Sequence, residues 1–333
     1  MTASRSMTMT RRFLHTLAVG VLTLLPVGVA SAAPDVVRLA DQTGAEVDYA
    51  AIWVAENQGY FKDENITIDR RLYANGPAGL LDFASGAIDA EMAAIVPFMQ
   101  FAARGGDFKL VMSLTKGNAP LVGPKEYKSY KDLNGKRIGT PGLGTIHDAV
   151  VNYVEQTQGL KFQHVFGKVT DIAVMIDKGE VDAFVGWEPA SAIAVMQNPK
   201  LHYIEQLPPI PNAESLSLIF QPKIAKENPD LIVRFLRAAL RGMDYIKAHP
   251  KEEIAAIIAK KMNDPKAAPV ALAAMGSVDV VSPRLDMPST KILLETIARQ
   301  GKIPAEYGKD PEGWVKKYLD YTYLDKAQAS LKK

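Results

Sequence analysis

The 333-residue chain contains no cysteine. That absence excludes disulfides, thiolate metal sites, a cysteine nucleophile and a lipidated cysteine tether. Long apolar runs are scarce as well. The best candidate, residues 17–30, is interrupted by Pro26 and falls short of the ~20 residues a membrane-spanning helix needs. Net charge is lacking too: 39 Lys and Arg stand against 37 Asp and Glu. Without Arg5, Arg11 and Arg12 the balance is 36 minus 37, close to neutral, so a nucleic-acid partner has no electrostatic support. Beyond residue 32 the histidines are His147, His164, His202 and His249, with no pair at metal-ligand spacing and no nucleophile elbow nearby. No metal and no cofactor is expected, and catalytic chemistry has little to stand on.

What is present begins with Arg5, Arg11 and Arg12, no acidic residue, the apolar run and an Ala30-Ser31-Ala32 ending. This pattern predicts a secretory signal peptide over residues 1–32, cleaved before Ala33. Arg11-Arg12-Phe13-Leu14 approximates a twin-arginine signal with imperfect spacing. The processed chain is expected to be soluble in a bacterial periplasm. With 47% hydrophobic residues it can bury substantial cores, and its length favours two lobes.

A short pattern occurs twice. Gly86-Ala87-Ile88-Asp89-Ala90 is followed by Pro97, and Gly179-Glu180-Val181-Asp182-Ala183 by Pro189. In each copy an apolar-periodic helix stops at a glycine suited to a left-handed cap, a short apolar strand follows, and a proline stands where the next helix opens. Around these copies strands and helices alternate: strands at 36–40, 66–72 and 110–114, helices at 49–58 and 77–85, then a second unit from Lys131 with a helix at 145–158 and a strand at 201–204. Alternation of this kind predicts parallel sheets with right-handed crossovers. The rhythm breaks at Gly117-Asn118-Ala119-Pro120, and after Pro208-Pro209-Ile210-Pro211 a strand at 215–220 reads as a return. The expectation is an α/β chain of two lobes, each a mainly parallel sheet flanked by helices: residues 33–117 and 217–333 in the first, 118–216 in the second, with two crossings as a hinge. Asp89 and Asp182, at equivalent strand starts, are expected to satisfy local backbone.

The run from Ile52 to Ile66, with Val54-Ala55, Gly59-Tyr60-Phe61 and Glu64, resembles a segment of solute-binding proteins of nitrate, sulfonate, taurine and thiamine-pyrimidine (NMT1/THI5-like) importers. Residues 81–90, 131–138, 179–189 and Asn228-Pro229 agree in order. The resemblance implies a type II periplasmic binding protein, a monomer that closes on a small molecule and delivers it to an ABC permease and ATPase at the inner membrane. It also brings in an enzyme class, the synthase of the thiamine pyrimidine, whose cysteine-rich motif this chain lacks.

In open α/β sheets ligands sit beyond the carboxyl ends of strands, where helix N-termini converge. This nominates residues 41–48, 75–79, 95–98, 140–148 and 186–189. Asn75-Gly76-Pro77 resembles a turn whose free N–H groups hold an anionic oxygen, and it is equally a plain helix cap. Thr145 and His147 occupy the family's glycine-serine-rich turn, and Thr145 to Asp148 also fits a capping-box spacing. Asp148 there would compete with an anion and favour a ligand carrying donors. Trp187 offers a stacking face and Glu188 an acceptor, or else a packed indole and a helix-start acid. Gln42, Thr43, Pro97 and Ser113 are candidates by position. The leading ligand class is a small anion (alkylsulfonate, taurine or nitrate), with an aminopyrimidine thiamine precursor as the alternative and an enzyme acting on such molecules third.

Overall fold

Strands β1 (Asp35–Gln42), β2 (Ile66–Tyr73), β3 (Ala90–Ala93) and β4 (Lys109–Gly117) join β10 (Glu214–Phe220) and β11 (Val278–Asp279) in a six-stranded sheet, order β11-β4-β10-β3-β1-β2. Strands β5 (Leu121–Pro124), β6 (Arg137–Thr140), β7 (Gln163–Phe166), β8 (Ala183–Val185) and β9 (Leu201–Glu205) form a five-stranded sheet, order β7-β6-β8-β5-β9. This computed structural model describes Met1, residues 33–279 and residues 282–332, and residues 34–333 form one unit. The expected leader, Met1 apart, lies outside the described residues.

The repeat is visible in the pairing. β1 lies parallel between β2 and β3, and β6 lies parallel between β7 and β8. The sheets are mixed, however: β10 runs antiparallel to β3 and β4, and β5 antiparallel to β8 and β9. Both reversed strands adjoin a crossing, residues 118–120 or 206–213, where the chain enters a sheet from the other one and therefore runs against it. Leu121-Val122-Gly123-Pro124 gave no strand signal in the sequence, being four residues long with a glycine and a proline.

Around the first sheet lie α1 (Ala50–Asn57), α2 (Tyr60–Asp63), α3 (Gly76–Ser85) and α4 (Ile95–Ala103); around the second, α5 (Ile146–Gln158), α6 (Ile172–Asp177) and α7 (Ala190–Gln197). The remainder is helical apart from β11: α8 (Pro222–Glu227), α9 (Pro229–Ala248), α10 (Lys251–Lys261), α11 (Ala268–Ala274), α12 (Met287–Arg299), α13 (Ala305–Lys309), α14 (Pro311–Lys316) and α15 (Thr322–Leu331). The repeated glycines end their helices in the left-handed region, Gly86 at φ 76° and Gly179 at φ 65°, where any side chain is strained. Apolar packing runs through both sheets: Val37 of β1 and Phe184 of β8 belong to one buried cluster, Ala40 of β1 and Ile138 of β6 to another. A third, smaller cluster joins Ala50 and Val54 of α1, Ala192 of α7, Ala255 and Ile258 of α10 and Ala271 and Ala274 of α11.

The twin aspartates do what their position suggests. Asp89 accepts from the backbone N–H of Arg38 at 2.9 Å and from its guanidinium at 2.9 and 2.6 Å. Asp182 accepts from the backbone N–H of Arg137 at 2.9 Å and from its guanidinium at 3.0 Å. Each pair locks the strand before the helix to the strand after it, once per sheet. Asp89→Ala strands a backbone donor and a guanidinium, so urea unfolding should register a loss of about 1–3 kcal/mol. Asp182→Ala should lose less, its carboxylate being more open to water; an unchanged midpoint for Asp89→Ala would remove the pair from the fold's supports.

Candidate functional site

Three helices begin at one cavity. Gly76 and Pro77 open α3, Ala94 and Pro97 stand at the start of α4, and Thr145, Ile146 and His147 open α5; all line it. Gln42 and Ala93 bring the carboxyl ends of β1 and β3 to the same space, and Ala45, Asp48, Trp187 and Ser215 complete the wall. The cavity is small, about 30 Å³. Both sheets contribute, and contacts across the cleft narrow it. Asn75 Nδ2 donates to the Pro141 carbonyl at 3.3 Å while Asn75 Oδ1 caps α3 by accepting from the Ala78 N–H at 3.1 Å. Gly144 takes φ 81°, where any side chain is strained, and it lies against the Gln100 carboxamide of α4, whose Oε1 would stand 2.7 Å from a Cβ there.

Asn118, at the first crossing, organises two walls at once. Its backbone takes φ 49°, its side chain is buried, and its Oδ1 accepts from the Glu188 N–H at 2.7 Å. Its carbonyl lies 3.1 Å from His147 Nε2. A carbonyl only accepts, so Nε2 carries the proton and Nδ1 is left as an acceptor, without a partner among the described residues. Burial pulls the His147 pKa down to about 4, keeping the ring neutral at physiological pH. Its ring stands 5.3 Å from that of Trp187, whose Nε1–H is likewise unpaired among the described residues.

Of the residues expected to bind, Gln42, Gly76, Pro77, Pro97, Thr145, His147 and Trp187 line this cavity, while Thr43 and Asn75 line a neighbouring groove. The Gln42 carboxamide is consumed internally, donating to the Met92 carbonyl at 2.7 Å and accepting from Tyr49 Oη at 2.7 Å, so it braces the wall. Ser113 and Glu188 are not brought in. Ser113 is buried on β4, opposite Ser217 of β10. Glu188 Oε1 accepts from Tyr203 Oη at 2.8 Å and Ser277 Oγ at 3.0 Å, and its Oε2 from the Ala192 N–H at 2.9 Å, tying α7 to β9. Asp148, expected to compete with an incoming anion, is absent from the cavity lining. It is bonded to His164 at 3.2 Å and to Lys302 at 2.5 Å, which hold its carboxyl below the usual range despite burial.

Asp48 lies in the nominated segment 41–48 but the sequence does not single it out, and Ser215 lies outside every nominated segment. Asp48 closes the loop 41–48 just before α1, where an acid reads as ordinary helix-start chemistry, and only the fold brings it into the cavity. Burial raises its pKa to about 7, although Thr115 Oγ1 donates to its Oδ1 at 2.8 Å and Ser215 Oγ at 3.3 Å. Among the described residues no Lys or Arg lines the cavity.

The model of the family described as NMT1/THI5 like matches residues 46–253. The chain belongs to this family. Among its curated relatives, the 4-amino-5-hydroxymethyl-2-methylpyrimidine phosphate synthase of Candida albicans is 27% identical over 60% of this chain. The formylaminopyrimidine-binding protein of Halalkalibacterium halodurans is 25% identical over 61%. The match spans 64% of the length of each relative. The periplasmic nitrate-binding protein of Synechocystis PCC 6803 superimposes with a TM-score of 0.73 at 15% identity, over 90% of this chain and 89% of its own. The fold is therefore that of periplasmic binding proteins. Among the described residues no helix is long and apolar enough to cross a membrane.

This NMT1/THI5-like chain carries further buried acids. Glu91 of β3 lies beneath Gly79 of α3 with neither carboxylate oxygen hydrogen-bonded among the described residues, and burial raises its pKa well above normal. Burial lifts Glu214 to about 8. A carboxyl whose folded pKa exceeds its unfolded one binds more protons when folded, so its contribution is lost as pH rises through the folded value. His164, raised by Asp148, works in the same direction. The melting temperature should fall between pH 6.5 and 8.5, and Glu91→Gln should raise it at pH 8.5 by more than at pH 5. A melting temperature that climbs with pH across that window would contradict the assignment of these buried carboxyls.

Proposed function

We propose that this protein is an extracytoplasmic solute-binding component of an ABC importer, and that its cleft takes a small heterocycle of the aminopyrimidine class. One observation carries the choice: the cavity is lined by a carboxyl poised near neutrality, Asp48, with no lysine or arginine beside it among the described residues. An aminopyrimidine edge presents an exocyclic amine and a ring nitrogen side by side. With Oδ1 already accepting from Thr115 and Ser215, the carboxyl meets that edge through Oδ2, which accepts from the amine or shares a proton with the ring nitrogen in a charge-assisted bond. Trp187 Nε1–H supplies a donor and His147 Nδ1 an acceptor for the rest of the ring. The resemblance to a formylaminopyrimidine-binding protein supports the same class.

This reverses the order reached from sequence, where a sulfonate, taurine or nitrate came first. The anion reading retains one supporting feature, the three helix N-termini at the cavity, each favourable to negative charge. Against it stands Asp48, which must hold its proton for an anion to enter. An enzyme reading draws on the synthase relative. It has no cysteine to work with, His147 is neutral and bonded to a backbone carbonyl, and the hydroxyls of the lining are engaged elsewhere, Thr145 with the Gly142 carbonyl and Ser215 with Asp48. Closure of the two lobes over the solute would be driven by contacts made with both.

Calorimetric titration of the processed protein with 4-amino-5-hydroxymethyl-2-methylpyrimidine, taurine and nitrate separates the readings. The pyrimidine should bind, and Asp48→Asn should weaken it about 10- to 100-fold while sparing or improving any anion. Tight taurine or nitrate binding without pyrimidine binding, or turnover of the pyrimidine, would sink the proposal.

A further inference from the structure

Beside the cavity lies a second, larger space. The groove bordered by Asn75 and Gly142 has a volume of about 640 Å³, against about 30 Å³ for the cavity. The two are adjoining compartments. Thr43 of the groove follows Gln42 of the cavity, Asn75 of the groove precedes Gly76 of the cavity, and the Asn75 bond to the Pro141 carbonyl stands at the junction. Both sheets end there: Leu72 lies near the carboxyl end of β2 and Phe166 at that of β7, 67% and 49% exposed although apolar. Solvent-facing apolar side chains at matching strand ends, on both sides of a cleft, suit a ligand atom placed between them. Among the described residues the one charged member of this lining is Lys168, and the one acid of the inner lining is Asp48. The cleft is therefore polarised along its length, carboxyl within and ammonium without.

We propose that the solute is bipartite, with a donor-bearing ring seated at Asp48 and a short apolar arm ending in an anion that runs past Asn75 into the groove, between Leu72 and Phe166, to Lys168. This rests on the ring reading above and adds to it the arm. The small inner volume sets the division: at about 30 Å³ it takes a ring only as its walls part and leaves no room for a substituent, which must lie along the groove. A groove of mixed character, apolar along its walls and cationic at one point, selects an arm that is apolar along its length and anionic at its tip.

The test compares three probes by calorimetry: 4-amino-5-hydroxymethyl-2-methylpyrimidine, the same ring carrying a short alkyl carboxylate in place of the hydroxymethyl group, and the matching alkyl amide. The carboxylate arm should tighten binding about tenfold over the bare ring and the amide arm by less. The ratio of arm-bearing to bare-ring affinity should fall towards one in Phe166→Ala combined with Lys168→Ala, two exposed positions whose replacement leaves the cores untouched. Equal affinities for the three probes, or a gain that persists in the double variant, overturn the arm and leave the ring reading standing; the groove's apolar rim would then belong to a protein partner. If the bare ring fails to bind, the ring reading falls and the arm falls with it.

Discussion

The constraint on which the site depends is the burial of Asn118. A residue forced into the left-handed region at the point where the chain leaves one sheet for the other would ordinarily cost stability, and asparagine tolerates that conformation better than most. It is held there by three bonds to three separate stretches of chain. The carbonyl fixes the His147 tautomer, Oδ1 fixes the backbone beside Trp187, and its own N–H donates to the Ser277 carbonyl at 2.8 Å. The geometry of both aromatic walls therefore follows from a single backbone position. Because that position is also the crossing, the binding surface and the connection between the sheets are built from the same atoms.

Electrostatically the cavity sets two tendencies against each other. Helix starts bring partial positive charge to its edge, and Asp48 brings a carboxyl to its wall. Desolvation decides the state of that carboxyl: burial costs its charged form more than the hydrogen bonds from Thr115 and Ser215 return, and its pKa rises to about 7. A group in that state can both give and take a proton, which a nearby arginine would have forbidden by fixing the charge.

Much of this was legible in the sequence, because local chemistry leaves local marks. The glycine–aspartate repeat announced paired strands, and the aspartates do bond the backbones opposite. Asn75 and Thr145 cap their helices, and the return strand lies where the proline-rich connector ends. What failed to show depends on distant pairing. The reversed strand β5 owes its existence to partners 62 and more residues away, not to its own composition. Asp48 and Asp148 carry the same label in a sequence. Only the fold distinguishes the acid in the cavity from the one neutralised by Lys302, a residue 154 positions later. Trp53 packs at the edge of the core with the Arg70 guanidinium 3.6 Å above its ring, a pairing that no spacing rule anticipates.

The third apolar cluster bears on how such a body could move. It brings α1 from the first sheet's side and α7 from the second's against α10 and α11, and much of what meets there is alanine. Methyl-sized knobs interlock less than branched ones, and the branched contacts of this seam come chiefly from Ile254, Ile257 and Ile258 of α10. Any relative movement of the helices here would therefore be resisted mainly by the α10 isoleucines, which would have to leave one set of neighbours for another, while the alanines would pass with little loss of contact.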